Sequence, residues 1–177
     1  MSSKHYLITS ITLGVIAASS GLLIGLTNLA TKDAIAKNEK KKISNGINEI
    51  YGKTSLKYEE IDISGEYKFI QYTYEVKDEG DITLGYAFRT TGSNIYGKIS
   101  LIIGFENSAS NSYVFTGLSV IVDEQTYAST LEDEYIDPLN DGIVNLDDVS
   151  CGATYGAKLV RDMVNEAEEA AKVLWKV

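Results

Sequence analysis

From Tyr6 to Ala30 the chain runs for 25 residues, YLITSITLGVIAASSGLLIGLTNLA, without a charged side chain. As a helix at about 1.5 Å per residue this stretch is about 37 Å long, enough to cross a hydrocarbon core of roughly 30 Å with some tilt. A cleaved signal peptide has a shorter apolar region followed by a small-residue cleavage site. Here the small residues Ala17, Ala18, Ser19 and Ser20 lie in the middle of the run. A retained transmembrane anchor over residues 1–30 is therefore expected. The pattern then turns polar, and residues 31–52 read as a juxtamembrane helix continuing from the anchor. Ile43, Ile47 and Ile50 give it a narrow apolar stripe at i, i+4, i+7 spacing, and Gly52 is its expected end.

Beyond Gly52 the period changes to two. Leu56–Ile63, Tyr67–Val76, Ile82–Thr90, Tyr96–Phe105 and Tyr113–Val122 are each rich in Tyr, Ile, Val, Phe or Thr. Clusters such as Lys77-Asp78-Glu79-Gly80 and Asn107–Ser112 separate them. Within Tyr67–Val76, strict alternation sends Tyr67, Phe69, Gln71, Thr73 and Glu75 to one side. Lys68, Ile70, Tyr72, Tyr74 and Val76 go to the other. Residues 127–147 read as an irregular, solvated acidic loop. Tyr155–Trp175 returns to helical spacing, with Val160, Met163, Val164, Ala167, Ala171 and Leu174 on one face and Glu166, Glu168 and Glu169 on the other. The predicted fold class is α+β: an N-terminal transmembrane helix, then one antiparallel sheet of about five strands with packed helices, the soluble domain spanning residues 53–177.

Composition removes most familiar chemistries. The chain has 16 Lys+Arg against 25 Asp+Glu, a net charge of −9, which argues against nucleic-acid binding. Its one cysteine, Cys151, rules out an intrachain disulfide, a CxxC redox pair and a Cys-ligated iron–sulfur cluster. Its one histidine, His5, sits near the start of the anchor, so no His cluster or Ser-His-Asp triad forms in the body of the chain. Asp137-Pro-Leu-Asn-Asp-Gly142 departs from the calcium-loop pattern, with Leu139 at a ligand position and Asp148 at the twelfth. No metal is expected. Charge bias around the anchor is mixed. Lys4 precedes it, while Lys32, Lys37, Lys40, Lys41 and Lys42 follow, which taken alone would leave the domain in the cytoplasm.

One stretch is informative for chemistry: Asp148-Val-Ser-Cys151-Gly152-Ala153-Thr154, directly ahead of the C-terminal helix. A glycine-bearing turn feeding a helix N-terminus offers unpaired backbone N–H groups and the positive end of the helix dipole, which together suit a phosphate. Thr154 is the expected cap, with its hydroxyl at the mouth of the site. An ordinary capping turn has the same pattern. A nucleotide P-loop is excluded, because only three residues separate Gly152 from Gly156 and no Ser or Thr follows Lys158. Cys151 lacks a histidine partner in the domain, so nucleophilic catalysis is not expected of it.

Asp148-x-x-Cys151-Gly152-Ala153-Thr154 resembles the D-x-x-S/T-G-A-T signature of the FMN-binding domains in the RnfG and NqrC subunits of respiratory complexes. Further likenesses run along the chain. The anchor followed by Thr31-Lys-Asp-Ala-Ile-Ala-Lys is similar to the family's N-terminus, Gly85-Tyr86-Ala87-Phe88 to a family strand, and Tyr96-Gly97-Lys98-Ile99 to its turn and strand. Gln125-Thr126 falls where the family often carries Glu-Thr. Cys151 stands in the Ser/Thr slot, and Tyr127-Ala128-Ser129 replaces a Pro-Gly-Leu. The resemblance implies FMN joined covalently by a flavin transferase to the Thr154 hydroxyl through a phosphoester, with Asp148 as part of the sequence the transferase reads. It implies a site drawn from Cys151, Gly152, Ala153, Tyr155, Thr126, Tyr86 and Tyr96, the tyrosines offering aromatic walls to the flavin. A flavin brings its own redox ring, which fits a chain poor in reactive side chains.

The implied role is a membrane-anchored electron-transfer subunit of an Rnf-like ion-translocating oxidoreductase, not a complete enzyme alone. Its partners would be other membrane subunits, and its soluble domain would lie outside the cytoplasmic membrane as a single-pass protein. Two alternatives stay open: a free-standing tethered extracytoplasmic flavoprotein, and a flavin-free structural or sensor module that kept the fold.

Overall fold

The structure, a computed structural model, describes residues 3–63, 65–108 and 112–175. It divides into two compact units, Met1–Lys41 and Lys42–Val177. The first consists of the opening turns of a single helix, α1 (Ser3–Ile50). Among the described residues one helical segment, Ile8–Ile50, is long and apolar enough to cross a membrane, and its most apolar window is unburied. Three of its hydroxyls bond within the helix: Thr12 donates to the Ile8 carbonyl at 2.9 Å, Ser19 to Val15 at 2.8 Å and Thr27 to Leu23 at 2.8 Å. Side chains bonded in this way carry no unpaired donor into lipid.

The helix ends as its glycine predicts. Gly52 adopts φ +59° and its N–H bonds the Glu49 carbonyl at 3.1 Å, while the Lys53 N–H reaches back to Asn48 at 3.1 Å. This pair of bonds is a Schellman closure, which satisfies two carbonyls of the last turn.

In the second unit five strands form one antiparallel sheet in sequence order: β1 (Lys57–Ile61), β2 (Ile70–Lys77), β3 (Thr83–Asn94), β4 (Gly97–Ser108) and β5 (Ser112–Asp123). The α+β class and the strand number therefore agree with the sequence pattern. The middle of the Asn107–Ser112 turn lies outside the described residues. Alternation in β2 departs from the strict pattern, because the register slips between Ile70 and Tyr72. A bulge there adds one residue, so Ile70 packs with Phe69 on one face while Tyr74 and Val76 occupy the other.

Both faces of the sheet are covered. The last turns of α1 lay Ile43, Ile47 and Tyr51 against Tyr74, Val76, Ala87, Ile102 and Ile121. The Tyr51 hydroxyl donates to the Tyr86 and Phe105 carbonyls at 3.0 and 3.1 Å. Burial, reinforced by the nearby Glu106 charge, pushes that phenol well above its ordinary range. The larger core lies on the other face. There α4 (Thr154–Trp175) buries Val160, Met163, Val164, Ala167 and Ala171 against Phe88, Leu101, Ile103 and Phe105. α4 crosses β3 at Gly92, where a Cβ would stand 2.8 Å from Leu159 Cδ1.

The acidic stretch 127–147 is not the irregular loop its composition implies. It begins as helix: α2 (Ala128–Leu131), a π turn over Glu132–Ile136, and α3 (Asp137–Asn140). Leu131, Tyr135, Ile136 and Leu139 are buried in the main core, so spacing prevailed over charge. The acids line the outer side of this helical segment. Tyr135, its phenol pushed up to about 12 mainly by burial, donates to the Leu146 carbonyl. Asn140 clamps β5, accepting from the Leu118 N–H at 2.8 Å and donating to its carbonyl at 2.9 Å. The segment thus forms part of the lid over the sheet and delivers the chain to Asp148.

Candidate functional site

A cleft of about 270 Å³ opens where three distant segments meet. The tight β3–β4 turn contributes Tyr96, the exit of β5 contributes Gln125 and Tyr127, and the start of α4 contributes Gly152, Ala153, Thr154, Tyr155 and Gly156. The segments approach closely at two glycines. Gly97, at φ +138°, would place a Cβ 2.2 Å from the Glu124 carbonyl oxygen. Gly156 would place one 2.9 Å from Leu131 Cδ2 and 3.2 Å from Gln125 Oε1.

The turn ahead of α4 is closed by its own hydrogen bonds. The Ala157 N–H bonds the Ala153 carbonyl at 3.0 Å, so Ala153 is the N-cap. The amides of Thr154, Tyr155 and Gly156 precede the intrahelical ladder and belong to the helix mouth. The sequence expectation put Thr154 at the cap. It is the first helical residue, and its hydroxyl donates to the Cys151 carbonyl at 2.6 Å. With its proton committed to Cys151, the Thr154 oxygen keeps its lone pairs for the cleft. One amide of the turn already has an anionic partner: the Gly152 N–H donates to Glu134 Oε2 at 2.7 Å. Glu134 comes from the π turn, a distortion often found at functional sites.

The aromatic wall is built from Tyr96, Tyr127 and Tyr155. Tyr96 lies 5.6 Å from each of the other two rings, measured between centroids, at interplanar angles of 66° and 55°. The rings touch one another, and a flat ligand between two of them would need about 7 Å, twice a stacking contact. They form a wall and not a slot. Tyr127 and Tyr155 are 50% and 58% exposed, so the wall is open to solvent. The Lys158 ammonium lies 5.9 Å from the Tyr155 ring centroid and brings a positive charge toward this side.

Of the residues expected from the sequence, the cleft gathers Gly152, Ala153, Thr154, Tyr155 and Tyr96. Thr126 is adjacent, its N–H and hydroxyl both directed to the Tyr96 carbonyl at 2.9 and 3.2 Å. Asp148 is exposed on the approach to the turn, with its N–H on the Asn145 carbonyl at 2.9 Å. Cys151 is half-buried against the main core. Tyr86 is elsewhere, with its ring 4.7 Å from Trp175 at the far end of α4. Gln125, Tyr127 and Gly156 join the cleft without having been expected there. Their only sequence signal was the Gln125-Thr126 pair and the second glycine of the turn.

The donor set fits a flavin nucleotide: a helix mouth for a phosphate, a hydroxyl beside it, and an aromatic surface for a fused ring. In comparisons with known families, residues 1–50 match the family model described as the RnfG N-terminal region. The matched residues contain all of α1. The likeness supports an RnfG-type subunit of a multi-subunit Rnf-type membrane complex in electron transport, a class that is generally flavin-binding. The cleft lies outside the matched residues. No curated protein matches the chain.

Proposed function

We propose that this protein is a single-pass membrane flavoprotein that relays electrons within an Rnf-like ion-translocating complex, through FMN held by a phosphoester on Thr154. The observation that carries this reading is the position of Thr154, whose hydroxyl shares one cleft with a helix mouth and three tyrosines. The amides of Thr154, Tyr155 and Gly156 would hold the phosphate, and Tyr127 and Tyr155 would lie along one face of the ring. When bound, the flavin supplies the redox chemistry, which the side chains of the cleft lack. Contact on one side only leaves the other face open to a redox partner, as an electron relay needs.

Attachment forms a bond from Thr154 Oγ1 to the flavin phosphate phosphorus and releases the hydroxyl proton. The bond broken is the one joining the flavin phosphate to the activating phosphate of the nucleotide that a flavin transferase would use; that activating phosphate leaves with the bonding electrons and takes up the proton. The domain is assigned to the extracytoplasmic side, because that is where the family resemblance puts the flavin. Charge bias is a weaker guide, since Lys40 to Lys42 lie ten or more residues past the apolar run.

One observation favours a second reading, a flavin-free module that kept the fold. Glu134 already occupies the Gly152 amide, and a carboxylate there opposes a phosphate nearby. Intact mass decides between the two. Protein made in cells with an active flavin transferase is expected to gain the mass of FMN minus water, mapped to Thr154. It should fluoresce on a denaturing gel, and Thr154→Ala should be dark. An unmodified, dark wild-type band would overturn the flavoprotein reading and support the second.

A further inference from the structure

Three segments far apart in sequence meet at the cleft, and a single side chain bonds to all of them. Asn94 is the last residue of β3, paired with Gly97 across a two-residue turn. Its Oδ1 accepts the Tyr96 N–H at 2.8 Å, which holds the turn from within. Its Nδ2 donates to the Tyr155 carbonyl at 3.1 Å and to Gln125 Oε1 at 3.2 Å. Gln125 is nearly buried and passes the link on, its Nε2 donating to the Gly97 carbonyl at 3.0 Å. Its own N–H bonds Asp123 Oδ1 at 2.8 Å. The Asn94 amide therefore donates twice and accepts once, and the Gln125 amide donates once and accepts once. One side chain reaches residues 96, 125 and 155, of which 96 and 155 are tyrosines of the wall and 125 lies two residues before the third.

We propose that Asn94 is a positioning residue that fixes the three-tyrosine wall of the cleft and so sets how a flavin ring lies against it. Without this clamp, Tyr155 would be held only by α4, and Tyr96 by its turn and by the two Thr126 bonds to its carbonyl, with nothing left to tie the two to each other. The 5.6 Å contact between their rings depends on both backbones being held together. Sheet and helix hydrogen bonds would survive its loss, so the effect falls on the site and not on the fold. This proposal rests on the flavoprotein reading for its consequence, but its geometric core concerns the tyrosines alone.

The test uses the full chain in two states. Asn94→Ser keeps a hydroxyl acceptor for the turn, adds no charge, and removes both amide donors. In protein made without flavin transferase, its thermal midpoint should stay near wild type, while the near-ultraviolet circular dichroism of the tyrosines falls by about a quarter, the share of three among 12, as the ring contacts become mobile. In protein made with the transferase, mass gain at Thr154 should persist and the bound flavin should fluoresce about twofold more strongly, because a contacting tyrosine quenches it. Asn94→Asp, isosteric and also lacking the two donors, should reproduce the loss of tyrosine signal if the serine variant folds poorly. Wild-type tyrosine dichroism in both folded variants would overturn the proposal. A wild-type chain without flavin would overturn the function instead, and the transferase-free measurement would still decide the role of Asn94.

Discussion

Glu166 shows how far single residues can depart from the role their position implies. Helical spacing puts it on the solvent face of α4, yet its carboxylate accepts the Lys68, Phe69 and Ile70 N–H groups at 3.0, 2.6 and 3.0 Å. These amides enter β2, where the bulge after Ile70 interrupts the sheet ladder. A carboxylate taking three amides is a charged-group interaction of the stronger kind, and losing it leaves partly buried donors unpaired. Glu166→Ala should therefore lower unfolding free energy by about 2–3 kcal/mol, read from the urea midpoint, and Glu166→Gln by about half as much. Equal stability in both variants and wild type would show that water replaces the carboxylate. Spacing reveals which face a side chain occupies, but not that its partners lie 96 to 98 residues away. The same limit explains the candidate site. Gly152, Ala153, Thr154 and Tyr155 were legible because their meaning is local to one turn and one helix start. Asn94, Gln125 and Tyr127 were not, since only the folded sheet brings the β3–β4 turn and the exit of β5 to that turn. Tyr86 was expected at the flavin as an aromatic on a family-like strand, but the strand carries it to Trp175.

At the scale of elements, the strands and the long helices followed from periodicity, and the acidic stretch did not. Leu131, Tyr135, Ile136 and Leu139 have helical intervals, but the surrounding Glu132, Asp133, Glu134 and Asp137 made the segment look solvated. The charges have a cost in the helix they decorate. Partial burial is the first cause, and the Asp137, Asp123 and Asp133 charges add to it, so the Glu132 carboxyl is held above its ordinary range. An acid whose folded pKa is raised destabilises the fold while it is ionised, above the folded value. That penalty fades as pH falls through the raised value to the unfolded one, near 4.3. Glu132→Gln should therefore be more stable than wild type at pH 7. Because the group is largely exposed and solvent screens it, the gain is a few tenths of a kcal/mol. Thermal midpoints taken across this range should converge as pH drops toward 4. A gain that persists unchanged at pH 4 would mean that the substitution acts through packing and not through charge.

For the whole molecule the deciding question is sidedness, because composition and resemblance disagree. All 25 acidic residues lie beyond Ala30, and five lysines follow the apolar run before residue 43. By charge bias those lysines would keep the domain in the cytoplasm. Yet bias weakens with distance from the span. Lys40 and Lys41 are exposed, and Lys42 is drawn into the domain, its ammonium donating to the Ile121 carbonyl at 3.0 Å. Ile143, 77% exposed on the loop after α3 and outside the cleft, offers a reporter position. In a Cys151→Ser background, Ile143→Cys is expected to react with a membrane-impermeant maleimide in intact cells as fully as after lysis. Labelling only after lysis would put the domain in the cytoplasm. That result would leave Thr154 and its cleft intact, but the flavin transferase and the redox partners would then have to meet the domain on the cytoplasmic side.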